Sequence, residues 1–321
     1  MAFEGVPEKM LAAQVVEFDK PYNIHHIPTP RGPLHEHDML IRVAAASLCH
    51  TDGMVSAGIM GTPLPCTASH EGAGTIVAVG SSVSGFKPGD RILCNIIYHR
   101  CGVCSDCIGP EQEQQYCAHT GGYLGINRDG SFAEGGLVRA GLKAGEWIAI
   151  VGAGGGLGHL GVQFAKARGL NVIAVDARDE ALQLAKDCGA GVVVDARQGK
   201  EEVVEEVHRA TGGQGANSTL NVSTHESAAA TAVAITRRHG TMVQIAQPDN
   251  ISVPFADLIF RDIRIHGSMV GSRGETQKML ELVSKHNIKV RTNPFSGLGE
   301  IPKAVELAHF GQNEGQTYYH N

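Results

Sequence analysis

The sequence predicts an α/β chain, with a β-rich front part followed by a doubly wound parallel sheet. Three observations carry this. Short apolar runs between Gly, Pro and Asp turns fill residues 1–143. From Gly145 onward, apolar runs alternate with helical patterns. The two rhythms meet at a strand, glycine turn, helix and strand between Trp147 and Asp176. A chain of 321 residues is long enough to build two cores.

In the front part the strand candidates are Val15–Phe18, Leu40–Ala44, Gly74–Val79, Arg91–Cys94 and Phe132–Val138, punctuated by turns such as Lys87-Pro88-Gly89-Asp90. The unit at the junction opens with the apolar run Trp147 to Val151. Gly152, Gly154, Gly155, Gly156 and Gly158 then crowd one turn around Leu157. A helical pattern follows, with Leu160, Val162, Phe164, Ala165 and Ala167 apolar, Lys166 and Arg168 solvated, and Gly169 as the stop. Val172 to Val175 form a second run that ends in Asp176.

Such a βαβ unit suits a dinucleotide for backbone reasons. Glycines without Cβ let a pyrophosphate approach the main chain, and the helix N-terminus offers it unpaired N–H groups and partial positive charge. Asp176 is placed to accept hydrogen bonds from both hydroxyls of an adenosine ribose, and its charge would repel a 2′-phosphate, which favours NAD(H) over NADP(H). The glycine spacing is G-x-x-G-x-x-G, one residue longer than G-x-G-x-x-G, so the bland alternative is close strand–helix packing. Further strands are expected at Val192–Val194, Thr219–Val222, Met242–Ile245 and Ile263–His266, with helices near 179–188, 200–210, 224–237 and 274–286. From Arg291 the rhythm stops, and the last thirty or so residues are expected to return to the front domain.

Composition narrows the function. Lys plus Arg total 27 against 33 Asp plus Glu, a net charge of −6, with no basic block to track a phosphate backbone; nucleic acid is an unexpected partner. No apolar run is long enough to span a bilayer and the N-terminus lacks a signal-peptide core, so a cytoplasmic protein without a membrane partner is expected. Four of the 8 cysteines lie between Cys101 and Cys117, which in a reducing compartment points to metal rather than disulfides.

Cys101-x2-Cys104-x2-Cys107-x9-Cys117 offers four thiolates on a polar loop. Four sulfurs with no open position make a closed tetrahedral zinc site, which holds a lobe with little core of its own. An iron–sulfur cluster is the rival, but its fourth cysteine usually follows the third closely or lies far away. Cys49-His50-Thr51-Asp52 and His70-Glu71 say less apart, since a single Cys is usually a small buried hydrophobe and a single His a satisfied hydrogen-bonder. Together they pair two zinc-type ligands with carboxylates that could orient an imidazole. An open zinc site polarises a carbonyl or alcohol oxygen, as a hydride transfer requires.

These motifs together, C-H-T-D at 49–52, S-H-E-G-A-G at 69–74, K-P-G-D-R at 87–91, the cysteine loop and G-A-G-G-G-L-G at 152–158, resemble the zinc-dependent alcohol dehydrogenases of the medium-chain dehydrogenase/reductase family, in their microbial, yeast-like branch. The resemblance covers nearly the whole chain. It implies a GroES-like catalytic domain at 1–143, an NAD-binding Rossmann domain at 144–290, and a return of 291–321 to the catalytic domain. It further implies that Cys49 and His70 ligate a catalytic zinc with Glu71 beside it, that Thr51 relays the alcohol proton, that Asp52 orients His70, and that His50 reaches the cofactor pyrophosphate. A small alcohol or aldehyde substrate and a homo-oligomer, formed through the last Rossmann strand near Ile263 to Val270, come with it.

The chain departs from the family at three places. Between Arg139 and Trp147 only Ala140 to Glu146 intervene, where relatives carry a longer segment with a cysteine, the third protein ligand of the catalytic zinc. Glu71, Asp52 and Cys66 are the possible substitutes. Met54 stands where many relatives have a histidine that passes the proton to solvent. The ending GQNEGQTYYHN lacks an alternating apolar run, so the closing β-strand is expected to be missing and an edge exposed. Two alternatives therefore accompany the alcohol dehydrogenase: a shortened, weakly catalytic NAD- and zinc-binding relative, and a zinc-free quinone or enoyl reductase.

Overall fold

The computed structural model describes residues 6–30, 32–130, 142–309 and 316–320. By their contacts the described residues divide into two compact units, one of residues 6–30 and 32–130 with 293–309 and 317–320, the other of residues 142–292 with residue 316. Among the described residues no helix is long and apolar enough to cross a membrane.

The first unit begins with β1 (Lys9–Val15), β2 (Asn23–Pro28) and β3 (Met39–Leu48), then α1 (His50–Ser56), β4 (Cys66–Thr67), β5 (Gly72–Val79), β6 (Arg91–Leu93), β7 (Ile97–Tyr98), α2 (Ser105–Ile108) and β8 (Gly122–Tyr123). β1 starts earlier than the sequence suggested because Ala12 and Ala13, apolar but small, are buried inside it. It pairs with β2, whose polar run Asn-Ile-His-His-Ile-Pro gave no strand signal. The strand expected at Phe132–Val138 lies outside the described residues.

The second unit is a six-stranded parallel sheet. Its strands are β9 (Trp147–Val151), β10 (Asn171–Asp176), β11 (Val192–Asp195), β12 (Ala216–Asn221), β13 (Thr236–Gln244) and β14 (Arg264–Gly267). Their order across the sheet is β11-β10-β9-β12-β13-β14, the doubly wound order expected of a dinucleotide-binding fold. Helices α3 (Gly156–Ala167), α4 (Asp179–Asp187), α5 (Lys200–Ala210), α6 (Ala228–Ile235) and α7 (Phe255–Arg261) connect them, and α8 (Arg273–His286) follows the last strand.

Both sheet faces are buried, and alternation along the strands sorts residues between them. Ile148 and Ile150 of β9 and Val172 and Ala174 of β10 pack in one core with Val162 and Ala165 of α3. Ala149, Val151, Ile173 and Val175 point to the other, where Val203 and Val207 of α5 and much of α6 cover them. α6 is apolar on every side, as befits a helix buried all round.

The chain finishes with β15 (Thr292–Ser296), α9 (Ile301–His309) and β16 (Gln316–His320). Here the structure corrects the expectation of a missing closing strand. β16 pairs antiparallel with β3, Thr317 opposite Leu48 through His320 opposite Ala45. Strand pairing needs backbone N–H and C=O groups rather than an apolar face, and Thr-Tyr-Tyr is a favourable strand sequence that an apolar-alternation criterion passes over.

One buried side chain ties the glycine turn to the end of the second unit. His159 of α3 is fully buried; its Nδ1 lies 2.9 Å from Gly155 O, and its Nε2 accepts the Arg291 N–H at 3.0 Å. Because the Arg291 group can only donate, Nε2 must be the unprotonated nitrogen and Nδ1–H the donor to Gly155. Burial holds the His159 pKa below its ordinary value. The unfolded chain, titrating near 6.5, therefore takes up a proton that the folded one refuses, and stability contributed above that pH is lost as pH falls through it. The melting temperature is expected to drop between about pH 7 and 5, and His159→Gln to flatten that part of the profile; parallel profiles for the two proteins would show that His159 is not the group responsible.

Candidate active site

The cysteine loop forms a compact cluster around α2. Cys101 Sγ lies 3.6 Å from Cys117 Sγ and 4.0 Å from Cys107 Sγ, and Cys104 Sγ lies 3.8 Å from Cys117 Sγ. A tetrahedron with zinc–sulfur bonds near 2.3 Å has sulfur–sulfur edges of about 3.8 Å, so the four atoms fit that ion. Backbone N–H groups point at two of the sulfurs, Cys101 N–H to Cys117 Sγ and Cys104 N–H to Cys101 Sγ, each at 3.4 Å. Such donors hold the Cys101 and Cys117 thiols below their ordinary pKa, whereas desolvation and the neighbouring sulfurs push Cys107 up to about 12. Four thiolates at this spacing need a cation to coexist.

A second cluster is assembled by strand pairing. β3 and β5 run antiparallel with Ala46 opposite Gly72, so the end of one strand lies beside the start of the other. Cys49 follows β3, and His70 and Glu71 precede β5. Cys49 Sγ lies 3.4 Å from His70 Nε2, close to the roughly 3.5 Å edge of a zinc tetrahedron with one sulfur and one nitrogen. Cys49 Sγ, a His70 ring nitrogen and a Glu71 carboxylate oxygen all lie within 4.8 Å of one another. Among the described residues this set and the four cysteines are the two groups of three or more His, Cys, Asp or Glu able to hold a metal ion.

Asp52 and Cys66, the other substitutes for the family's third ligand, are outside that set. Asp52 is fully buried, and its carboxylate accepts the backbone N–H of Cys49 and of Ser69, each at 2.9 Å. It thus holds the main chain beside both ligand segments, where the resemblance had it orienting the His70 ring. Burial pushes its carboxyl up to about 6, against the pull of those two N–H donors. Cys66 Sγ faces the Ile126 and Arg128 carbonyls at 3.9 and 3.8 Å.

Helix α1 itself is a local consequence of Cys49. The residue caps the helix: its Sγ accepts the Thr51 N–H at 3.2 Å while Asp52 reaches back to the Cys49 N–H, a reciprocal capping pair. Thr51 thereby sits in the first turn next to the sulfur, and His50 is exposed at the helix start. Burial and the carboxylates of Asp52 and Glu71 hold the Cys49 thiol well above its ordinary pKa, and burial lowers His70 to about 4. The imidazole is therefore neutral at physiological pH, the form that ligates metal.

In the second unit, Gly152 adopts φ +87°, which a side chain would strain, and a Cβ on Gly158 would come within 2.1 Å of Gly152 O. Helix α3 starts from Gly155 with no side-chain cap, leaving its first N–H groups for a ligand. Gly154 and Gly156 lie in the same turn, and Leu157 is exposed on its outside. Asp176 stands at the end of β10, as the spacing predicted. Its Oδ2 accepts the Gly154 N–H at 2.9 Å and its Oδ1 the Ala177 N–H at 2.8 Å, a contact that pins the glycine turn and that no spacing rule announces. Arg178 Nε lies 3.9 Å from Asp176.

A family model for an alcohol dehydrogenase GroES-like domain matches residues 35–143, and one for a zinc-binding dehydrogenase matches residues 156–285. An alcohol dehydrogenase of Geobacillus stearothermophilus is 31% identical over 92% of this chain and 96% of its own. One of Schizosaccharomyces pombe is 31% identical over 97% of both. The crystal structure of the alcohol dehydrogenase of Aeropyrum pernix superposes with a TM-score of 0.85 at 27% identity, covering 97% of this chain and all of that one.

If the four sulfurs hold one ion, Cys104→Ser opens the tetrahedron. The variant is expected to lose about one zinc per chain and to melt roughly 5 °C or more below the wild type, measured by metal analysis and thermal denaturation. Unchanged zinc content and melting would remove the structural role.

Proposed function

Starting from the chain's membership of the zinc-type alcohol dehydrogenases in the medium-chain dehydrogenase/reductase family, we propose that it oxidises an alcohol to an aldehyde or ketone with NAD, or runs the reverse. The observation that carries this is the meeting of Cys49, His70 and Glu71. Three protein ligands with a fourth position left open are what a catalytic zinc requires. Bound there, zinc supplies a Lewis acid for the substrate oxygen and NAD a hydride acceptor, so that alcohol and NAD⁺ yield carbonyl compound, NADH and a proton.

The chain's own residues divide the remaining work. Cys49 brings the thiolate charge, the neutral His70 a nitrogen, and Glu71 the carboxylate in place of a second cysteine. Thr51, whose N–H donates to the Cys49 sulfur, carries the alcohol proton away. Gly152, Gly154, Gly155, Gly156, Leu157 and Gly158 receive the pyrophosphate, and Asp176 receives the adenosine ribose. Residues 1–143 with 291–321 form the catalytic part and 144–290 the cofactor part. A zinc-free reductase would have no use for Cys49 and His70 beside a carboxylate. A shortened, weakly catalytic relative would lack a third ligand, a place that Glu71 is positioned to fill.

Two zincs per chain are expected, one of them removed by a chelator together with alcohol-dependent NADH formation and restored by added zinc. A protein that binds NADH and a single zinc yet turns over no short or aromatic alcohol would be the non-catalytic relative instead. Asp176→Ala should weaken NADH binding roughly 10- to 100-fold, the worth of a charge-assisted hydrogen bond, and leave zinc content alone. Equal affinity in fluorescence titration would take the acid off the ribose.

A further inference from the structure

The Glu71 carboxylate does not stand alone. The Ser47 hydroxyl donates a hydrogen bond to Glu71 Oε2. The same two residues are joined along the main chain, where the Ser47 N–H donates to Glu71 O at 3.2 Å. Ser47 lies in β3, two residues before Cys49, and Ser69 Oγ in turn donates to Ser47 O at 3.4 Å. Every one of these contacts links the strand that delivers the sulfur to the segment that delivers the imidazole and carboxylate.

We infer that Ser47 is a positioning residue for the metal: its hydroxyl fixes the rotation of the Glu71 carboxylate so that the carboxylate serves as the third protein ligand beside Cys49 and His70. The inference rests on the proposed catalytic zinc and goes beyond it. The physical need is plain. A Glu side chain has three rotatable bonds, and bringing it to a metal costs the entropy of freezing them. A carboxylate already held through one oxygen by a hydroxyl on the neighbouring strand has met much of that cost before the ion arrives. A thiolate on a shorter side chain would need less help, so a site that replaces sulfur by Glu has a use for such a hydroxyl. Ligands are commonly oriented by a hydrogen-bonding neighbour in this way, and losing the neighbour weakens metal binding about 10- to 100-fold.

The test uses the full-length protein with its four-cysteine zinc in place. The second site is emptied and titrated with Zn²⁺ in a metal buffer, and with Co²⁺ followed by its visible absorption. Ser47→Ala is expected to weaken binding at the second site about 10- to 100-fold and to alter the Co²⁺ spectrum, with the first zinc and the melting temperature retained. Ser47→Thr keeps the hydroxyl and should restore wild-type affinity. In a Glu71→Ala background, Ser47→Ala should cause no further loss, because its effect runs through the carboxylate. Wild-type affinity in Ser47→Ala, or an equal loss with and without Glu71, would overturn the inference while leaving the zinc proposal standing. A wild-type protein that binds no second metal would overturn the zinc proposal itself, and the inference with it.

Discussion

The antiparallel register of β3 and β5 is the constraint on which the front-unit site depends. Cys49 and His70 are far apart along the chain, 21 residues. What brings them together is backbone pairing that sets Ala46 opposite Gly72 and continues in the Ser47 N–H to Glu71 O bond. A slip of one residue would turn each side chain to the opposite face of the sheet and dismantle the cluster. Asp52 reinforces the register from outside the ladder. By accepting the Cys49 and Ser69 N–H groups with its two oxygens, a single carboxylate clamps the backbone on both sides of the Cys49, His70 and Glu71 cluster.

That clamp explains which parts of the site could be seen in the sequence. The four-cysteine loop was legible because its ligands lie close along the chain and thiolates at such spacing have few other uses. The doubly wound sheet was legible because β9 and β10 are buried on both faces and read as unbroken apolar runs ending at glycines or at an acid. The order of the elements and the helices from α3 to α5 follow from the same periodicity. By contrast α1 carries no apolar stripe to announce it; it exists because Cys49 and Asp52 cap it, a use of cysteine that cap preferences do not suggest. β16 was missed because it enters the sheet as a polar strand. Ser47 was missed for a deeper reason: its significance lies in a cross-strand contact with Glu71, which exists only once the register is known.

Asp176 shows the same limit from the other side. Its place at the end of the second strand was predicted, yet in the structure its oxygens engage the Gly154 and Ala177 N–H groups. The residue proposed to receive a ribose thus also braces the glycine turn. Position along the chain revealed the candidate; only the fold revealed that its carboxylate also holds the glycine turn.

Charge then decides what the front site can become. Cys49, Asp52 and Glu71 are three acidic groups in one small space, and with burial they hold the Cys49 thiol protonated in the absence of a cation. A divalent ion reverses that balance, because one thiolate and one carboxylate together cancel its charge while the neutral His70 adds a donor at no electrostatic cost. With Glu71 in the place of a second thiolate, the proposed site would keep this neutrality but would hold zinc with a harder ligand in place of a soft, polarizable one. Affinity lost in such a bond would have to be recovered in preorganisation, for which the strands supply a capped helix behind the sulfur, a buried carboxylate across both backbones, and a serine on β3 hydrogen-bonded to the glutamate.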